Sequence, residues 1–170
     1  MKTTFVVPDD LEPARRADDA TAVGDVIPPH NKRCFGCGPD AMQGLHLQAI
    51  AGEGLTATAV LEVERRFAGG PGVIHGGILA SAFDEMMGLT NMLMGTIAVT
   101  AVLDVDYAAP IQVGTSLRMD ARVLGLRGRK VYSEVVAYDA ATPGDPLAGG
   151  HGLFVVVDPV DHFTRANARP

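Results

Sequence analysis

Cysteine is scarce in this chain of 170 residues: there are two, Cys34 and Cys37. Two cysteines cannot build a disulfide framework. As a single C-x-x-C they fall two ligands short of a zinc site. His46 is nearby but no second pair exists, so no metal and no cofactor is expected. No thioredoxin-like βαβ pattern surrounds them, which speaks against a redox pair. An apolar run long enough to span a bilayer is also missing, so no membrane contact is expected. Residues 1–20 carry scattered acids and no signal-peptide apolar core, and a cytoplasmic location follows as the default. Basic residues are outnumbered, 14 Lys and Arg against 20 Asp and Glu, for a net charge of −6. That balance argues against nucleic acid as a partner. Repeats and low-complexity segments are absent. What remains is a chain that is 47% hydrophobic, enough for one domain with a sizeable core.

Residues 1–30 are polar, contain proline and lack sustained periodicity, and read as an extension, partly mobile or draped on the surface of a domain over 31–160. The segment from Cys34 to Leu45 is turn-rich. Leu45–Ala49 reads as a short strand. In Leu55–Val63, Leu55, Ala57, Ala59, Leu61 and Val63 share one face. Arg65–Gly72 reads as a Gly-rich loop. From His75 to about Met94 runs the one convincing helix, apolar nearly all round and therefore buried. Strands are expected at 98–107, with Val99, Ala101, Leu103, Val105 and Tyr107 on one face, and at 116–126, 130–140 and 147–157. Arg127-Gly128-Arg129 is a hairpin turn, Pro143–Pro146 a second turn, and 161–170 a tail. One buried helix followed by antiparallel strands is an α+β chain with its sheet wrapped on the helix.

The start of that helix carries the chemistry. His75-Gly76-Gly77 leaves backbone N–H groups uncovered for a ligand oxygen. At spacings of three and four, Gly77, Ser81, Asp84, Gly88 and Asn91 form a small, polar stripe. A carboxylate inside an apolar helix is costly unless it is paired or used. On the residues alone, Asp84 is either a group paired inside an interface or a general base. Glu85, on the Ile78, Ala82 and Leu89 side, is the rival base. Met86, Met87, Met92 and Met94 suggest an adaptable pocket.

The order of elements, the His75-Gly76-Gly77 helix start, Asp84, the strand Val99–Tyr107 followed by Pro110, and Gly128-Arg129-Lys130 together resemble the hotdog-fold acyl-CoA thioesterases. More narrowly they resemble the PaaI-like and 4-hydroxybenzoyl-CoA thioesterase group. The resemblance covers about residues 45–157, and Cys34-Phe35-Gly36-Cys37-Gly38-Pro39 through Gly44-Leu45 looks like the lead-in of one branch. It implies a hotdog fold that hydrolyses an acyl-CoA. Asp84 would be the base or the nucleophile, and Gly76 N–H the oxyanion donor. Thr100 would come from a neighbouring subunit to hold water. His75 would either orient the substrate carbonyl or hydrogen-bond the loop, with Gly77 and Glu85 lining the substrate site. Arg127, Arg129 and Lys130, with Arg65 and Arg66, would meet the nucleotide of coenzyme A. A homodimer or dimer of dimers is implied, because one sheet covers one side of so apolar a helix. The alternatives are a hotdog enoyl-CoA hydratase or dehydratase, working through His75 or His151 with an acid, and a non-catalytic acyl-CoA-binding module.

Overall fold

The computed structural model describes residues 5–142 and 144–167. Eight strands and two α-helices follow in order: β1 (Ile50–Ala51), β2 (Thr56–Glu62), β3 (Ala68–Gly70), β4 (Val73–Ile74), α1 (Gly76–Met92), β5 (Ala98–Tyr107), β6 (Ser116–Arg127), β7 (Lys130–Asp139), β8 (Ala148–Val156) and α2 (Pro159–Asn167). Six strands make one antiparallel sheet in the order β1-β2-β6-β7-β8-β5. This is the hotdog architecture, with α1 lying against one face of the sheet. Leu79, Phe83, Met86 and Met87 of α1 are fully buried with Leu117, Met119, Val131, Val135 and Phe154 of the strands. Truncating a ring in such a core, as in Phe83→Ala, costs about 3–5 kcal/mol.

Several elements differ from the sequence reading. No strand forms at Leu45–Ala49; pairing begins at Ile50. The expected loop at Arg65–Gly72 holds a 3₁₀ turn at Arg65–Phe67 and then β3, which pairs with β4. The expected tail contains α2. Arg127 and Lys130 pair across a two-residue turn in which Gly128 takes φ 60°, a conformation that suits glycine. Of the turn at 143–146, Pro143 lies outside the described residues. The extension is laid on the sheet: Glu12 and Leu126 exchange backbone hydrogen bonds of 2.8 and 2.9 Å, and Ile27 N–H donates to the Ala49 carbonyl at 2.8 Å. No helix among the described residues is long and apolar enough to cross a membrane.

The most consequential difference is in β5. Strict alternation puts Thr100 on the face opposite Tyr107, yet both side chains reach α1. The register of β5 on β8 slips between Thr100 and Val102. One extra residue reverses the parity of everything after it. Ala98 packs on the core before the bulge, and Leu103 and Val105 after it.

Candidate active site

Extended His75 (φ −71°, ψ 130°) caps α1, its Nδ1 accepting from Gly77 N–H at 2.9 Å. An accepting Nδ1 puts the proton of the neutral ring on Nε2. Ile78 and Leu79 N–H both return to the His75 carbonyl, at 3.0 and 3.2 Å. Gly77 N–H, the second donor expected to be open, is thus spent on His75. Among the described residues Gly76 N–H meets no acceptor, so it is the helix-start donor left for a ligand oxygen. Tyr107, which the sequence reading passed over, lies across it. Its hydroxyl donates to the Gly76 carbonyl at 2.9 Å and its ring packs 3.4 Å from where a Gly76 Cβ would sit. A cavity of about 340 Å³ opens at this end, lined by Val73, Ile74, Gly76, Leu79, Tyr107 and Pro110.

Two turns along α1, Asp84 is half-buried and its Oδ1 accepts from Thr100 Oγ1 at 2.6 Å. Burial raises its carboxyl above the usual carboxylate range; the Thr100 hydrogen bond works against that rise, and the neighbouring Glu85 charge adds to it. Among the described residues no donor meets Oδ2. Thr100 therefore belongs to the Asp84 of its own chain. Where a neighbouring subunit's Thr100 was expected, the β5 bulge turns the chain's own Thr100 inward onto Asp84.

The small stripe is open at Gly77, Ser81, Asp84 and Gly88, and a Cβ at Gly88 would meet nothing within 4 Å. Asn91 is not part of it: it is buried, and its Oδ1 accepts from Ser133 of β7 at 2.7 Å. Beside Gly88 lies a second cavity of about 260 Å³, lined by His30, Met92, Ile97, Ala98, Val99 and Phe163 among others. Of the four methionines, Met92 alone lines it; Met86 and Met87 are core.

Glu85 is not placed as a second base. Its carboxylate lies among His30, Cys34 and Cys37, 3.3 Å from Cys34 Sγ and 3.5 Å from His30 Nδ1. Burial and then the Glu85 carboxylate hold the Cys37 thiol well above the ordinary thiol range. His46 stays outside this group, its Nδ1 3.1 Å from the Gly38 carbonyl.

The cations divide. Arg66 pairs with Glu64 and stacks on Phe67. Arg127 faces Asp10 at 3.5 Å. Arg129 donates to the Val156 carbonyl at 3.3 Å, and Lys130 is exposed. Lys130, Val155 and Val99 lie in one row across β7, β8 and β5. At about 4.8 Å per strand the row spans about 10 Å and ends at Val99; its neighbours Val131 and Phe154 are buried, so the row lies on the face away from α1. His151 pairs with Glu134 at 3.6 Å and stacks on Phe5. That pair lies on the sheet face away from α1, since its neighbours Gly150, Gly152 and Ser133 are the ones that meet the helix.

Residues 71–144 match the model of the thioesterase superfamily. The chain is similar to an acyl-coenzyme A thioesterase, THEM4, of Xenopus laevis, 37% identical over 65 residues. That match takes in 38% of this chain and 29% of the relative, so the chain spans less than a third of the relative's length. In fold the chain is similar to the PaaI protein of the E. coli phenylacetic acid degradation operon (TM-score 0.61, 19% identity, 67% of this chain and 81% of that one). It is also similar to a hypothetical thioesterase of Streptococcus pneumoniae TIGR4 solved with coenzyme A (TM-score 0.57, 17% identity, 60% and 81%). That protein was also solved with a threonine, and with an aspartate sixteen positions before it, replaced by alanine.

Proposed function

We propose that the chain hydrolyses an acyl-CoA thioester to a free acid and coenzyme A, with a hotdog domain over 31–160 behind an extension at 1–30. The observation that carries this reading is the Asp84–Thr100 pair: a half-buried carboxylate with one oxygen held and the other open, between two cavities on a stripe of small residues. Support comes from the frog relative's activity and from the coenzyme A bound by the pneumococcal protein. The aspartate and threonine altered in that protein have the sixteen-residue spacing of Asp84 and Thr100.

In this reading Asp84 Oδ2 accepts a proton from a water that attacks the thioester carbonyl carbon. Gly76 N–H, backed by the helix dipole, receives the negative oxygen of the tetrahedral adduct. The adduct collapses, the carbon–sulfur bond breaks, and the thiolate of coenzyme A leaves and takes up the proton that Asp84 accepted, which restores the carboxylate. The cavity beside Gly88 takes the acyl chain, and Arg129 and Lys130, at the β6–β7 turn, would meet the nucleotide where it leaves the site.

One helix does not bring these parts to a single carbonyl. Gly76 and Asp84 are eight residues apart, a rise of about 12 Å. A hydrogen-bonded oxygen, an attacking water and its base together span at most about 9 Å. A second copy laid antiparallel along α1 sets its Gly76 opposite Asp84, so the site is complete in a dimer. The unpaired edge of β5, where Ala101 and Val102 are exposed, is the sheet edge through which such a copy would join.

The test is thiol release across a panel of acyl-CoA esters, with Asp84→Asn as the control. Release that depends on Asp84 supports hydrolysis. Tight acyl-CoA binding without release means a binding module, and water addition to an enoyl-CoA means a hydratase. The His151–Glu134 pair does not favour the hydratase, because it lies on the wrong face of the sheet.

A further inference from the structure

The C-x-x-C of the lead-in finds one missing ligand just upstream, His30, and the other about fifty residues on, Glu85 of α1. Residues 30–38 fold back on themselves: Cys34 N–H donates to the Asn31 carbonyl at 3.0 Å, and Gly38 N–H to the Cys34 carbonyl at 2.8 Å. Gly36 N–H points at Cys34 Sγ, 3.3 Å away. His30 enters from upstream, its Nδ1 3.4 Å from Cys37 Sγ. Glu85 enters from α1, Oε2 at 3.3 Å from Cys34 Sγ and Oε1 at 3.5 Å from His30 Nδ1. One ligand atom from each of the four residues lies within 4.8 Å of all the others. Zinc bonds of about 2.0–2.3 Å to S, N and O give a tetrahedron with edges of about 3.3–3.8 Å. Two of the separations, Cys37 Sγ–His30 Nδ1 and Cys34 Sγ–Glu85 Oε2, already match those edges.

A second observation points the same way. The Glu85 side chain is 11% exposed, and its Oε1 is buried and accepts no hydrogen bond among the described residues. The backbone is pressed onto it: a Cβ at Gly36 would overlap the carboxylate. A carboxylate held dry against two sulfurs is expensive without a cation. Thiolates and imidazole select zinc over magnesium or calcium.

We propose that His30, Cys34, Cys37 and Glu85 hold a structural Zn²⁺ that pins the lead-in segment to α1. On binding, two Sγ–Zn bonds form and the two thiol protons go to solvent. Two thiolates, one carboxylate and the ion sum to −1. Four protein ligands fill the tetrahedron and leave no position for water, so the metal is structural rather than a Lewis acid. It fixes the turn of α1 that carries Asp84, and it fixes His30 in the wall of the cavity beside Gly88. The sequence pointed away from a metal because the histidine weighed with the cysteines was His46, which is spent on the loop backbone, and not His30. The inference does not depend on the hydrolase reading.

The experiment is metal analysis of the full chain, purified under reducing conditions and reconstituted with Zn²⁺ or Co²⁺. One zinc per chain is expected to survive gel filtration. The cobalt form should show the thiolate-to-cobalt band in the near ultraviolet and the strong visible bands of a tetrahedral site. Cys37→Ser and Glu85→Gln should each weaken zinc affinity at least about tenfold in competition with a chromophoric chelator. A wild-type chain that keeps no zinc, or a cobalt form without thiolate bands, overturns the proposal. So does a stable Cys34–Cys37 disulfide in a metal-free chain whose Tm a chelator leaves unchanged. Should Cys37→Ser fail to fold, the wild-type cobalt spectrum decides alone.

Discussion

Thr100 donates its hydroxyl proton to Asp84 Oδ1 at 2.6 Å, from the edge strand of the sheet to the middle of the helix of the same chain. The bond fixes which carboxylate oxygen is spent and which is open to water. Asp84→Asn keeps the shape and removes the base, and kcat should fall by about 10²–10⁴-fold with KM changed much less. Thr100→Val keeps the volume and removes one hydrogen bond of about 1–1.5 kcal/mol, or about a tenfold loss in kcat. Steady-state kinetics on one acyl-CoA substrate checks both. A Thr100→Val loss as deep as that of Asp84→Asn would mean that Thr100 takes part in the proton transfer itself.

Gly76→Pro removes the N–H proposed as oxyanion donor and little else. The first helical position tolerates proline, and the extended His75 before it (φ −71°, ψ 130°) already has the conformation a following proline demands. Tm should stay within a few degrees of wild type while kcat drops about 10²–10³-fold. Full activity in a folded Gly76→Pro enzyme would show that the oxyanion is held elsewhere.

Gly88 faces open space beside the smaller cavity. Gly88→Leu should fill it, so kcat/KM should fall at least about tenfold for long acyl chains and stay near wild type for acetyl-CoA. An equal loss on both substrates would place the acyl chain elsewhere and charge the effect to the helix.

Much of this arrangement is readable in the residues. Periodicity alone locates α1 and all four long strands, because buried apolar faces repeat over many residues. His75-Gly76-Gly77 marks the helix start, since an open amide needs small neighbours. What escapes has one physical character: it depends on contacts distant in sequence, or on a single-residue irregularity. The bulge after Thr100 leaves no mark on an alternating strand, yet it decides that Thr100 and Tyr107 both face the helix. The partner of Glu85 is a segment about fifty residues upstream, invisible to helical spacing. Asn91 falls on the polar stripe by arithmetic, but Ser133 draws it into the core.

Lys130 begins the row that crosses the sheet to Val99, and Arg129 stands beside it in the turn. Replacing both with Ala should raise KM for acyl-CoA about tenfold or more, while a short thioester without the nucleotide should be hydrolysed as before. A parallel loss on the truncated substrate would trace the effect to the lost Arg129–Val156 contact at the end of β8.

The last prediction separates a site shared between chains from one built within a chain. Asp84 and Thr100 come from one chain, whereas Gly76 lies a rise of about 12 Å from Asp84 along its own helix. Mixing Asp84→Asn chains with Gly76→Pro chains should therefore regenerate activity. A heterodimer pairs the intact Asp84 of one chain with the intact Gly76 of the other, giving one sound site and one doubly damaged site. Activity per heterodimer should rise toward half that of wild type. Mixing Asp84→Asn with Thr100→Val chains should give only the average of the two parents, because each chain spoils its own pair. Purified heterodimers carrying two different affinity tags make both measurements direct. If neither mixture recovers, each chain completes its own site and the dimer has another role. Recovery in the Asp84→Asn and Thr100→Val mixture would show that the Thr100 serving Asp84 in the working enzyme belongs to the other chain.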